Sequence, residues 1–272
     1  MAIADGGTGA STAAAAQTNL GIPASIPGYL WGLTLANNTG DAANDIDIAA
    51  GVAVDSTNAR NITLASGLTK RLDAAWSVGT NQGGLDTGAV ADTTYHVWLI
   101  LRSDSGVVDV LFSTSAPTPT MPANYDFKRR IGSIIRQSGT IRAFRQSGDS
   151  FALTTQSADS GANNPGTSAV TLGLTVPLGI VVHANVAVTF RDNSAGSINF
   201  LLLTALDEID SVPSFNLSTQ TAWGISEWIA VNTVLVKTNT SGQIRYRLGA
   251  SNTDVTVYIS TVGWIDTRGR LA

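Results

Sequence analysis

Tyr95-His96-Val97-Trp98-Leu99-Ile100-Leu101-Arg102 is the stretch whose reading decides the fold. Tyr95, Val97, Leu99 and Leu101 point one way in an extended chain, and His96, Trp98 and Ile100 point the other. Both sets are largely apolar, so the spacing predicts a strand covered on both faces rather than one facing water. Ser103-Asp104-Ser105-Gly106 then turns the chain into Val107–Ser113, which makes a hairpin.

The same reading extends in both directions. Toward the N-terminus, Leu33-Thr34-Leu35 reads as a short strand and Asn37-Asn38-Thr39-Gly40-Asp41 as a turn cluster. Asp45–Ile48 alternates polar and apolar residues, and Val52–Val54 and Ile62–Leu64 repeat the pattern. Toward the C-terminus, the proline-rich stretch 116–122 is extended without a regular ladder. Arg130–Arg136 and Thr140–Phe144 form a second hairpin across Gln137-Ser138-Gly139. The echo Arg136-Gln137-Ser138-Gly139 and Arg145-Gln146-Ser147-Gly148 marks successive turns, and no period of roughly 20–50 residues stands out. The Gly/Asn/Pro-rich stretch Ser157–Ser168 reads as a loop near a domain boundary. Beyond it, Val170–Val176, Ile180–Arg191, Ile198–Thr204, Glu227–Thr238, Ile244–Leu248 and Val255–Ile265 read as strands. The expected architecture is mainly β: residues 1–27 a segment with a short helix, 28–150 a first β domain, and 151–272 a C-terminal β-sandwich. Both domains are antiparallel and sandwich-like or jelly-roll-like.

Composition agrees with that class. The 272 residues hold 13% charged side chains, two histidines and no cysteine, with a formal net charge of −4. The acidic balance argues against a nucleic-acid partner, and without cysteine there are neither disulfides nor thiolate chemistry. No apolar run approaches membrane-spanning length, so no membrane insertion is expected. Met1 opens no signal-peptide pattern, which predicts cytoplasmic synthesis without classical secretion.

Candidate chemistry is sparse. His96 and His183 fall mid-strand in apolar runs and read as core or interface histidines, and no Gly-x-Ser-x-Gly elbow accompanies them. Asp207, Glu208 and Asp210 form the densest acidic cluster. They could act as a carboxylate pair or hold calcium, but they read as a solvated loop. Asp45 and Asp47 share a strand face without further ligands. Lys128, Arg129, Arg130, Arg136, Arg142 and Arg145 make a local basic patch of solvated hairpin charges, able to meet an acidic loop of a neighbouring subunit or an anionic polysaccharide. Trp223 and Trp228 flank Gly224-Ile225-Ser226-Glu227. Trp223 with Glu227 suits a sugar ring, while Trp228 reads as a buried strand residue. No catalytic residue, metal site or cofactor is expected.

The N-terminal run Asp5-Gly6-Gly7-Thr8-Gly9-Ala10-Ser11-Thr12 leads into Ala13-Ala14-Ala15-Ala16-Gln17-Thr18-Asn19-Leu20-Gly21. Thr12 is a good N-cap, alanine is the best helix former, and Gly21 with Pro23 ends the helix after roughly two turns. A helix that short is marginal alone and needs a partner surface, either another copy or a docking protein. The glycines do not form a dinucleotide fingerprint, because the third position is Thr12 and no strand precedes it.

This run resembles the GGTGA(T/S)TAA…NLG segment of bacteriophage and prophage tail-fibre proteins. Phe127-Lys128-Arg129-Arg130-Ile131-Gly132-Ser133-Ile134 is similar to a hairpin of the same proteins, and Gly263-Trp264-Ile265-Asp266-Thr267-Arg268-Gly269-Arg270 to one of their endings. The resemblance implies a homotrimeric fibre or spike in a virion, assembled in the host cytoplasm. Gly6, Gly7, Thr8, Gly9 and Leu20 would then attach it to other tail or neck proteins, and the C-terminal domain would meet a host-surface glycan or protein. A purely structural neck, head-fibre or baseplate decoration would leave the same features; a small glycan hydrolase is the lesser alternative and would need Asp207 and Glu208 as its carboxylates.

Overall fold

The computed structural model describes residues 7–21, 25–193, 198–223 and 228–270. From the N-terminus run α1 (Ala13–Asn19), β1 (Leu30–Gly32), β2 (Leu35–Asn37), β3 (Asp45–Ile48), β4 (Gly51–Val54), β5 (Asn61–Leu64), β6 (Leu68–Ala75), β7 (Gln82–Leu85), β8 (Thr94–Leu101), β9 (Val108–Ser113), β10 (Phe127–Gln137) and β11 (Thr140–Ile141). There follow β12 (Phe144–Ser147), β13 (Ser150–Asn163), β14 (Val170–Gly173), β15 (His183–Asp192), β16 (Ile198–Thr204), β17 (Gln220–Trp223), β18 (Trp228–Lys237), β19 (Gln243–Leu248) and β20 (Val255–Ile265). The protein is mainly β.

The first half builds an eight-stranded sheet, β11-β10-β8-β9-β7-β6-β3-β2, and a three-stranded one, β1-β4-β5. The second builds a five-stranded sheet, β12-β13-β20-β15-β18, and a four-stranded one, β14-β19-β16-β17. β8 sits between β10 and β9, and all eight of its residues are buried. Tyr95, Val97, Leu99 and Leu101 enter the large core, and Trp98 and Ile100 join a small one with Leu111 and Tyr125. In the second half, Val186, Val188 and Phe190 of β15 and Val257 and Ile259 of β20 share that large core with Leu201, Ile244, Tyr246 and Leu248 of the other sheet. Along β15 and β20 buried apolar residues alternate with largely polar outward ones, as in a β-sandwich.

Several expectations need correction. The eight-stranded sheet is mixed rather than antiparallel, because β7 pairs in parallel with both β6 and β9. Leu33–Leu35 is not one strand. Gly32 and Leu33 take φ of 67° and 55°, left-handed values that swing the chain from the three-stranded sheet to the eight-stranded one while Leu33 stays fully buried. The return of the second hairpin splits: β11 stays on β10, whereas β12 leaves to pair with β13.

Ser157–Ser168 is not a loop throughout. Residues 157–163 belong to β13, which pairs with β20 through two register shifts. Small polar side chains hold this later part of the strand by specific bonds instead of apolar packing. Asp159 accepts from Thr175 N–H and Oγ1 on one oxygen and from Thr261 N–H and Oγ1 on the other.

One core of buried residues runs from Leu30 to Trp264 and so through both halves. At its middle the ladder slips between Arg130 and Gly132, and Gly132 has no side chain to obstruct its neighbours. A Cβ there would lie 2.7 Å from Leu35 Cδ1 and 3.3 Å from the Phe151 ring. Phe151 stacks on Trp264 at 5.5 Å with the planes 6° apart.

Candidate recognition surface and buried ion network

At the N-terminus, α1 is capped by Thr12, whose hydroxyl accepts from Ala15 N–H. Gly7 is exposed, Gly9 has φ of 69°, and Thr8 C=O accepts from Asn19 Nδ2 at 2.7 Å. Leu20 is 59% exposed, and Ile26 and Trp31 are exposed beyond it. Gly6 lies outside the described residues. Gly28 packs against the C-terminal turn, where a Cβ would meet the Arg270 carbonyl oxygen. The chain just after the N-terminal helix therefore lies against the C-terminal turn.

The middle and last stretches quoted above meet in a buried network. Arg130 grips Asp266 with both terminal nitrogens, at 2.5 and 2.8 Å, and also donates to Ser133 Oγ. Bidentate charge-assisted bonds of this kind are the strong ones. Asp266 further accepts from the Arg268 N–H, and Asp149 receives the Arg268 and Arg270 side chains. His96 Nδ1 lies 2.9 Å from Ser133 Oγ. Its environment bears on protonation: burial first, then the Arg130 charge, pushes its pKa down to about 4, against an opposing pull from Asp266.

The native state therefore holds His96 neutral while the unfolded chain takes up a proton below about pH 6.5. Stability is expected to be undiminished above that pH and to fall by about 3 kcal/mol between pH 6.5 and 4. Urea melts of the parent and His96→Gln across that range would test this. A parallel pH dependence in both would refute the assignment.

His183 departs from expectation: it opens β15 at the surface rather than sitting mid-strand, so the two histidines have opposite environments. The basic patch is also divided. Arg136 pairs with Asp92, Arg142 donates to Gln137 and Thr155, and Lys128 sits 5.6 Å over the Trp98 ring. Arg129 and Arg130, however, are buried rather than solvated. The acidic loop is exposed and committed: Asp207 pairs with Lys237, and Asp210 with Arg247 and Arg245. The Lys237 bond lowers the Asp207 pKa. Among the described residues no three His, Asp or Glu side chains gather as metal ligands, and no helix is long and apolar enough to cross a membrane.

Trp223 ends β17 opposite Ile198, with its side chain outside what the structure describes, and Glu227 lies outside the described residues. The described surface offers another aromatic. Tyr258 is 51% exposed on the outer face of the five-stranded sheet. In register across four strands lie Gly161, Tyr258, Thr189 and Val231. A Cβ on Gly161 would come 3.2 Å from Tyr258 Cδ1 and Cε1, so the glycine gives the ring room to lie along the sheet. Thr256, bonded to Asn163, borders the ring on one side, and Ser260 and Ala187 on the other. Val231 and Leu235 extend an exposed apolar row along the edge strand β18. Alternation with buried Val257 and Ile259 already assigns Tyr258 to the outside. Sequence reading passed over it in favour of tryptophan.

A search of protein-family models matches no family, and a search of curated proteins finds no similar sequence.

Proposed function

We propose that the chain is a structural component of a bacteriophage virion, a tail fibre or spike module that acts as a homotrimer. Residues 1–27, with exposed Leu20, hold it to neighbouring tail or neck proteins, and the C-terminal half recognises the host surface. The observation that carries the recognition role is the Tyr258 face: an aromatic ring laid along a rigid sheet between hydroxyl and amide side chains. Such a face suits a pyranose, whose C–H groups stack on the ring while its hydroxyls reach the rim. Three such faces on one trimer would add avidity to weak single sites. The reading assigns no catalytic step. The three sequence resemblances support the virion setting.

Particles carrying Tyr258→Ala should still assemble and adsorb to host cells much less. Loss of one aromatic contact of about 2 kcal/mol corresponds to roughly 30-fold per site. Thermal stability should change by no more than about 1–2 °C, since the ring is half exposed. Undiminished adsorption, or absence of the chain from purified particles, would sink the reading.

A second reading rests on the apolar row of Val231 and Leu235, 70% and 57% exposed on an edge strand. Such a row suits contact between copies, and the chain would then be a purely structural neck, head-fibre or baseplate decoration. Light scattering of Val231→Asp distinguishes the two: dissociation with the Tyr258 effect absent favours decoration.

A further inference from the structure

A pocket of about 330 Å³ opens beside the ion network, lined by Trp98, Pro117, Arg129, Arg130, Arg268 and Gly269 among others. Among the side-chain polar atoms of these lining residues, those left without partners are all donors. Arg129 Nε and Nη2, Arg268 Nη1 and Trp98 Nε1 are buried and unbonded. Arg129 and Arg268 are each only 4% exposed. The one lining hydroxyl, on Ser56, is spent on the Lys128 carbonyl.

The charges are unbalanced in the same sense. Asp266 is taken by Arg130, and Asp149 by Arg268 and Arg270. Asp55 is near enough for Arg129 to feel it, but its oxygens accept from Thr57, Ala59 and Arg60. Arg129 has no ion pair among the described residues, and a buried charge without a partner is strongly unfavourable. Burial and the neighbouring Arg130, Arg270 and Arg268 press its pKa down.

We propose that this pocket binds one small oxyanion: a carboxylate, a phosphate or a sulfate. A water molecule would satisfy a donor but not the charge. A cation would be repelled, and a neutral sugar would leave its own hydroxyl protons without acceptors. A planar guanidinium matches an oxyanion with paired bonds. The donors are held in place beforehand. Arg129 lies in β10 opposite Leu99, and Arg268 is fixed by a left-handed φ of 55° and by its N–H on Asp266. The site is independent of the Tyr258 face and of any trimer.

The test uses the full chain in sodium sulfate, phosphate or glucuronate against sodium chloride of equal ionic strength. The melting temperature should rise saturably, by on the order of 5 °C at a hundredfold excess over Kd. A response to glucuronate alone assigns the site to carboxylates, such as those on acidic sugars, and a response to sulfate or phosphate alone assigns it to inorganic or ester anions. Arg129→Met should melt higher than the parent in chloride and lose the saturable response. Trp98→Phe should weaken it. Crystals soaked in selenate should show the anion between Arg129 and Arg268, a readout that stands even if Arg129→Met fails to fold. A non-saturating rise shared by parent and Arg129→Met, or a pocket that holds neither selenate nor glucuronate after soaking, overturns the proposal.

Discussion

Asp266→Asn is expected to destabilise the protein by about 3–5 kcal/mol, the range found when one partner of a buried ion pair is removed. For a chain of this size that lowers the melting temperature by on the order of 10 °C. The reason is what remains. Arg130 is 9% exposed and held by Asp266 at 2.5 and 2.8 Å; its other contact, Ser133, is neutral. An asparagine in the same place keeps the volume and one acceptor but not the charge, so a guanidinium is left buried without a counter-ion. The same residue also accepts from the Arg268 N–H. A double variant separates these contributions. Arg130→Met with Asp266→Leu removes both charges and fills the space, and should recover much of the loss, because replacing a whole buried pair by apolar groups is often close to neutral. Chemical denaturation of parent, singles and double gives the coupling energy directly. A loss below about 1 kcal/mol for Asp266→Asn would show that the pair is exposed to water and carries little.

That pair marks where the sequence stops being informative. Strands with period-two patterns were readable because alternation is local. Tyr95–Leu101 reads as a strand buried on both faces, and it is one. The Arg130–Asp266 contact spans 136 positions, and no local pattern connects its ends. The likeness to tail-fibre motifs drew attention to both stretches without pairing them. Residues 157–163 failed for a related reason: serine, aspartate and glycine are turn formers by themselves, and only the tertiary bonds of Asp159 to Thr175 and Thr261 make that stretch a strand.

Buried charge was partly legible. Arg129 alternates with Phe127 and Ile131, as Lys70 alternates with Leu68 and Leu72, so period two places both on inward faces. Both are buried. Reading Lys128, Arg129 and Arg130 as one patch of charge hid that. For the recognition surface, alternation contains the position of Tyr258, but nothing local reveals that Gly161 lies beneath its ring from a strand about a hundred residues away.

Trp264→Ala should cost about 3–5 kcal/mol, the usual range for deleting a large buried aromatic. Trp264 is 2% exposed and stacked on Phe151, and its strand partners are Phe151 on β13 and Ala184 on β15. Its neighbour Gly263 lets the strands approach, since a Cβ there would lie 2.2 Å from the Phe151 carbonyl oxygen. Backbone this closely fitted cannot collapse easily into the void, which places the expected cost toward the upper end of the range. Trp264→Phe should cost clearly less than the alanine variant, because the void it leaves is smaller. It keeps a ring against Phe151 and also removes the indole N–H, which is buried without a partner. Urea denaturation checks both, with a lower midpoint and an unchanged slope for the alanine variant. Trp264 and Phe151 belong to the core that also holds Leu35, Val97 and Leu99 from the first half. The destabilised variant should therefore still unfold in one transition, seen at the same urea concentration by fluorescence and by far-UV circular dichroism. Two separated transitions would mean that the halves fold as independent units, and that the stack stabilises only the second.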